Sequence, residues 1–74
     1  MSTKRIAALR QRIKSENLDG MVVTHGDHVR YLTGYTGSNG LLVVTTSGAD
    51  FYTDFRYTDQ AKREVQGAKC HIAD

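Results

Sequence analysis

Three glycines, two tyrosines, an arginine and several small hydroxyl side chains crowd into "VRYLTGYTGSNG", residues 29–40. Glycines at this density cost backbone entropy on folding, so the segment must gain something from them. A phosphate cradle needs backbone N–H groups converging at a helix N-terminus that follows the glycines. Here a helix precedes Gly34 and a strand follows Gly40, the spacing is G-x-x-G-x-x-G, and no lysine follows. The pattern fits a corner better, with positive φ or close packing at Gly34 and Gly40 and with Arg30, Tyr31, Tyr35 and Ser38 gathered around it. His25 and His28 lie three apart, but a metal site needs further convergent ligands, and Cys70 and His71 must point to opposite faces of a strand. Asp50, Asp54 and Asp59 are candidate carboxylates, with Asp54 next to Arg56 better suited to an ion pair or to capping the following helix. Ser38 has no evident His and Asp around it for nucleophilic chemistry. No complete catalytic set is assembled, and no metal ligands are assigned to this chain.

The elements that must position these residues follow from periodicity. Ile6, Leu9 and Ile13, with Ala7 and Ala8, predict an amphipathic helix over residues 3–17, capped by Ser2 or Thr3 and ended by "NLDG". "MVVT", 21–24, is β-branched without alternation, which predicts a strand buried on both faces. Asp27 is the expected N-cap of a short helix through Leu32, with Gly34 as its left-handed C-terminal residue. "LLVVTT", 41–46, and "FYTDF", 51–55, read as antiparallel neighbours joined through "SGAD". Tyr57, Ala61 and Val65 mark the dry face of a further helix that Gly67 ends, and "AKCHIA", 68–73, begins another strand. The resulting fold class is α/β, a mixed β-sheet with flanking helices. Such a sheet normally continues through a crossover helix to more strands, so the sequence reads as truncated within a larger domain.

Composition narrows the function classes. With 39% hydrophobic and 24% charged residues and no long apolar run, neither disorder nor membrane insertion is expected. The basic residues Lys4, Arg5, Arg10, Arg12 and Lys14 alternate around the solvent side of the first helix, which fits a solvated face rather than nucleic-acid binding. The single cysteine, Cys70, fits a reducing, cytoplasmic setting. A chain of 74 residues buries only about 60% of its unfolded surface, so a partner or a further segment is expected to support it.

Two stretches carry a family resemblance. Arg30 to Gly40, followed by a strand and then Thr53, Asp54, Arg56, Tyr57, Gln60 and Ala61, resembles the first half of the N-terminal domain of the creatinase, prolidase and aminopeptidase P family. Tyr35 stands where phenylalanine is common and His28 where asparagine is common. The resemblance covers essentially residues 1–74 and implies a partial creatinase/prolidase-like N-terminal domain, with the catalytic pita-bread domain outside it. That domain's two divalent ions (manganese, cobalt or zinc) would be held by downstream aspartates, a histidine and glutamates. By resemblance the N-terminal domain does not hydrolyse peptides. It supplies dimer or higher homo-oligomer contacts and a loop that restricts a peptidase cleft to peptides with proline in the second position. Arg30, Tyr35, Ser38, Arg56 and Tyr57 are then the substrate-gating candidates.

Three readings stay open on the sequence. The first is a non-catalytic N-terminal part of a metal-dependent Xaa-Pro aminopeptidase or dipeptidase. The second is a stand-alone interaction module of the same fold, and the third a phosphate- or nucleotide-binding α/β domain resting on the glycines alone.

Overall fold

Helix α1, Ser2–Ser15, buries Ile6 and Ile13 on one stripe, as the apolar spacing predicts. In this computed structural model, which describes residues 2–37 and 39–73, α1 ends in a Schellman turn. Asn17 takes a φ of 58°, the Leu18 N–H reaches the Ile13 carbonyl at 3.0 Å, and the Asn17 N–H reaches Lys14 at 3.2 Å. Most of the basic residues of α1 are exposed. Arg10 departs from the expected solvated face: it is half-buried and its Nη2 donates to the Thr46 carbonyl at 2.8 Å.

Strand β1, Gly20–Val23, pairs antiparallel with β2, Leu41–Thr45, which pairs antiparallel with β3, Ala49–Asp54. Strand β4, Lys69–Ala73, runs parallel to β3, so the four-stranded sheet has the order β1-β2-β3-β4. The mixed sheet and the β2–β3 hairpin match expectation, with the Thr45 N–H closing the turn on the Gly48 carbonyl at 2.8 Å. β1 corrects it. This strand lies at an edge of the sheet, and Met21 and Val22 are exposed while only Val23 is buried. Absence of alternation reported β-branched chemistry rather than double burial, because burial depends on what lies over each face.

Helix α2, Gly26–Thr33, begins earlier than expected. Its N-cap is His25 rather than Asp27: the imidazole Nδ1 accepts the Asp27 N–H at 3.3 Å. Asp27 instead sits in the first turn, where its charge complements the helix dipole. Gly34 closes α2 at φ 85°, as predicted, donating to the Arg30 carbonyl at 2.8 Å. After β3 a 3-10 turn, Phe55–Tyr57, leads into α3, Thr58–Glu64, whose Ala61 is fully buried with Tyr57 and Val65 packed beside it.

All three helices contribute to a single core. Ile6, Ile13, Val29, Leu32 and Ala61 meet Leu42, Val44 and Phe51, which the register places on one face of the sheet. The core thus lies between one helical layer and one sheet face, and the loop from α2 to β2 crosses its end.

Candidate functional site

The loop spanning residues 34–40 is built around Tyr35. Leaving the left-handed Gly34, the chain turns this ring inward until it is 2% exposed, tilted against Phe51 with centroids 4.6 Å apart. Its hydroxyl donates to the Asn39 carbonyl at 3.1 Å, and the buried Thr53 hydroxyl donates to the same oxygen at 2.5 Å. Above, the Thr33 hydroxyl gives its proton to the Val29 carbonyl and accepts the Tyr35 N–H at 3.1 Å. Burial raises the Tyr35 phenol above its ordinary range. The glycines make room for this ring and its neighbour. A Cβ on Gly40 would lie 2.5 Å from Phe51 Cζ, and one on Gly37 would collide with the Tyr35 hydroxyl.

Two carboxylates pin the outer side. Glu64, at the end of α3, takes the Thr36 N–H at 2.7 Å and the Thr36 hydroxyl at 2.9 Å on one oxygen, while Gln60 Nε2 donates to Thr36 Oγ1 at 3.2 Å. The Thr36 backbone N–H is the main reason the Glu64 carboxyl sits below its usual range. Asp54, at the end of β3, accepts Asn39 Nδ2 at 2.8 Å, then Arg56 Nη2 at 2.8 Å, Arg56 Nε at 3.1 Å and the Arg56 N–H at 3.0 Å. The Arg56 side chain, foremost, holds the Asp54 carboxyl down at about 2, and Asp54 in turn raises the Arg56 guanidinium. Asp54 is therefore both the ion-pair partner and the cap that its position suggested.

The candidate residues fall into separate groups. Arg56 and Tyr57 come together, the guanidinium carbon 5.4 Å from the ring centroid, with Arg56 exposed. Tyr35 is a core residue, so its expected display at a cleft wall is corrected: the ring supports the loop from below. Arg30 is exposed in the last turn of α2, outside the network of Asp54 and Glu64. Ser38 lies outside the described residues. Sequence reasoning assigned no role to Thr36, Asn39 or Glu64, and used Thr53 and Gln60 only as motif residues, not as parts of this network. The only local signal was the i, i+4 pair Gln60 and Glu64, which shares one helix face.

These contacts decide which chemistry is open. Two of the loop's backbone N–H groups are occupied by protein oxygens, Tyr35 by Thr33 and Thr36 by Glu64, and a carboxylate stands where a cradle would need an anion. The phosphate-binding reading loses its basis. Asp50 Oδ1 accepts from His71 Nε2 at 2.8 Å and Asp54 accepts from Arg56 Nη2 at 2.8 Å, so each of these two candidate aspartates is engaged with a basic partner. Among the described residues no three His, Cys, Asp or Glu side chains converge to hold a metal ion, and the acids nearest the loop are already engaged. The residues present do not fit a two-ion centre. What the site presents is the exposed Arg56 guanidinium just after β3, held by Asp54.

The chain is 48% identical over 63 residues to the Bacillus subtilis (strain 168) uncharacterized peptidase YqhT, covering 85% of this chain but 18% of that protein. It is 34% identical over 76 residues to Xaa-Pro aminopeptidase 2 of Rattus norvegicus, covering 86% of this chain and 11% of the relative. A solved N-terminal domain from Corynebacterium diphtheriae, described as creatinase/prolidase-like, superposes with a TM-score of 0.89 at 36% identity, over 97% of this chain and 59% of that one. The chain thus spans less than a fifth of the length of these two sequence relatives. Residues 5–74 match the family described as Creatinase/Prolidase N-terminal domain, and the chain belongs to that family.

Proposed function

We propose that this chain is the non-catalytic N-terminal part of a metal-dependent Xaa-Pro peptidase, acting in the cytoplasm, where its loop 34–40 and Arg56 help admit proline-containing peptides to a cleft formed by a separate catalytic domain. The observation that carries this reading is the Asp54–Arg56–Asn39 cluster, which fixes an exposed guanidinium beside an exposed loop that is itself tied to β3 and α3. A fixed cation beside a rigid loop suits the terminal carboxylate or a backbone carbonyl of a short peptide. In this reading the divalent ions belong to that separate catalytic domain. Contacts between subunits are part of the same reading, since among the described residues no layer covers the sheet face of Val22 and Tyr52.

The test uses the peptidase that carries this domain. Arg56→Ala is expected to raise KM for an Xaa-Pro peptide about tenfold while kcat stays within about twofold, the pattern of lost uniform binding. Unchanged kcat/KM and unchanged peptide preference in both Arg56→Ala and Arg30→Ala would remove the gating role. The 74-residue chain alone, given the same peptide and manganese, is expected to show no turnover. Turnover there would overturn the non-catalytic assignment.

A further inference from the structure

A second surface shares no residue with that loop. Between α1 and α2 runs an open groove of about 420 Å³, whose lining includes Leu9 and Leu32 as well as Lys4, Arg5, Arg12 and Tyr31. Among the described residues no acidic side chain lines it. Arg5 is held in place: its guanidinium lies 4.3 Å from the centroid of the Tyr31 ring, and Nη1 donates to the Tyr31 carbonyl at 2.9 Å. A guanidinium carries five N–H donors, so others remain for a ligand. At the other end Arg12 bonds Glu16 at 2.7 Å, an exposed and therefore weak pair that a better-placed carboxylate can replace. Lys4 and Arg12 are two helical turns apart, about 12 Å at 1.5 Å per residue.

From this arrangement we infer that the α1/α2 groove is a docking site for an acidic peptide segment, of the pattern acid-x-apolar-x-acid in extended conformation. In a strand, residues i, i+2 and i+4 point the same way, and i to i+4 spans about 13 Å. Two carboxylates at that spacing meet Lys4 and Arg5 at one end and Arg12 at the other, while the apolar residue between them enters the Leu9 and Leu32 side of the groove. A nucleic-acid strand presents a charge at every residue instead of two separated by an apolar group, which fits this lining less well.

The experiment titrates the full chain with fluorescein-labelled Glu-Ala-Leu-Ala-Glu and reads fluorescence anisotropy. Binding is expected to weaken about tenfold when both glutamates are replaced by glutamine, when Arg12→Glu is introduced, and when salt shortens the Debye length from about 30 to about 10 Å. Lys4→Glu and Tyr31→Ala, both at exposed positions, are the independent variants, and far-UV circular dichroism checks that each is folded. Loss of binding in folded Lys4→Glu supports the site. Equal binding of the glutamine peptide, or full binding by folded Lys4→Glu and Arg12→Glu, overturns it. Competition by oligothymidylate with a tighter Kd than the acidic peptide would also overturn it, by assigning the groove to nucleic acid.

Discussion

Asp54 accepts four hydrogen bonds, one from Asn39 and three from Arg56, and each favours the ionised carboxylate. Its folded-state pKa of about 2 lies below the ordinary 3.8, so the group contributes stability that is fully present above about pH 4 and lost as pH falls toward 2. Glu64, lowered for the same kind of reason by Thr36, adds to the acid limb in the same direction. Arg56 stays charged throughout this range. Asp54→Asn removes one of the two contributions, so its stability is expected to fall less steeply than wild type between pH 4 and pH 2, with the Glu64 part remaining. Urea unfolding at successive pH values measures this. Parallel acid limbs in the two proteins would show that the cluster does not couple to folding.

At the scale of elements, the connection from α2 to β2 is anchored by the buried Tyr35 ring, and Gly40 shows how tightly. Alanine there would place Cβ 2.5 Å from Phe51 Cζ and 2.9 Å from Cε1, and Phe51 is fully buried with no room to yield. Gly40→Ala is expected to lower stability by about 1–3 kcal/mol, the usual cost of overpacking, read as a lower urea midpoint. Gly26→Ala is the matched control: a Cβ there meets nothing within 4 Å, and the change should stay within about 1 kcal/mol of wild type. Equal losses in the two would rule out the Phe51 contact as the cause, because backbone entropy alone favours alanine at both positions. The elements themselves were legible where the cause is local: the Ile6 and Ile13 stripe, Gly34 as left-handed cap, the turn between β2 and β3, Asp54 beside Arg56. What stayed hidden depends on distance along the chain. Nothing near Glu64 says that its partner is Thr36, 28 positions away, and nothing near Tyr35 says that its hydroxyl meets a carbonyl shared with Thr53. His25 as cap was missed because imidazole is an uncommon N-cap, although its Nδ1 accepts as an aspartate oxygen would.

For the molecule as a whole, the unbalanced feature is the second face of the sheet. The three helices cover Leu42, Val44 and Phe51, and the register therefore turns Val22, Leu41, Val43 and Tyr52 the other way. Val22 is 62% exposed and Tyr52 41%, with the Tyr52 ring stacked on His71 at 4.6 Å. Parallel strand pairs such as β3–β4 are ordinarily covered on both faces, so this surface is one that a second layer would be expected to bury. β1 and β4, at the two ends of the strand order, add open edges. The 74-residue chain alone should therefore associate with itself in a concentration-dependent way, one bare face covering another. Sedimentation velocity across a dilution series measures it, with anilinonaphthalene sulfonate fluorescence as a second readout. Val22→Asp, which places a charge on that face without touching the core, should shift the chain toward monomer and reduce dye binding. A wild-type chain that sediments as monomer at every concentration, with no dye binding, would mean that the Tyr52–His71 stack and the Asp50 carboxylate make this face polar enough to stand in water.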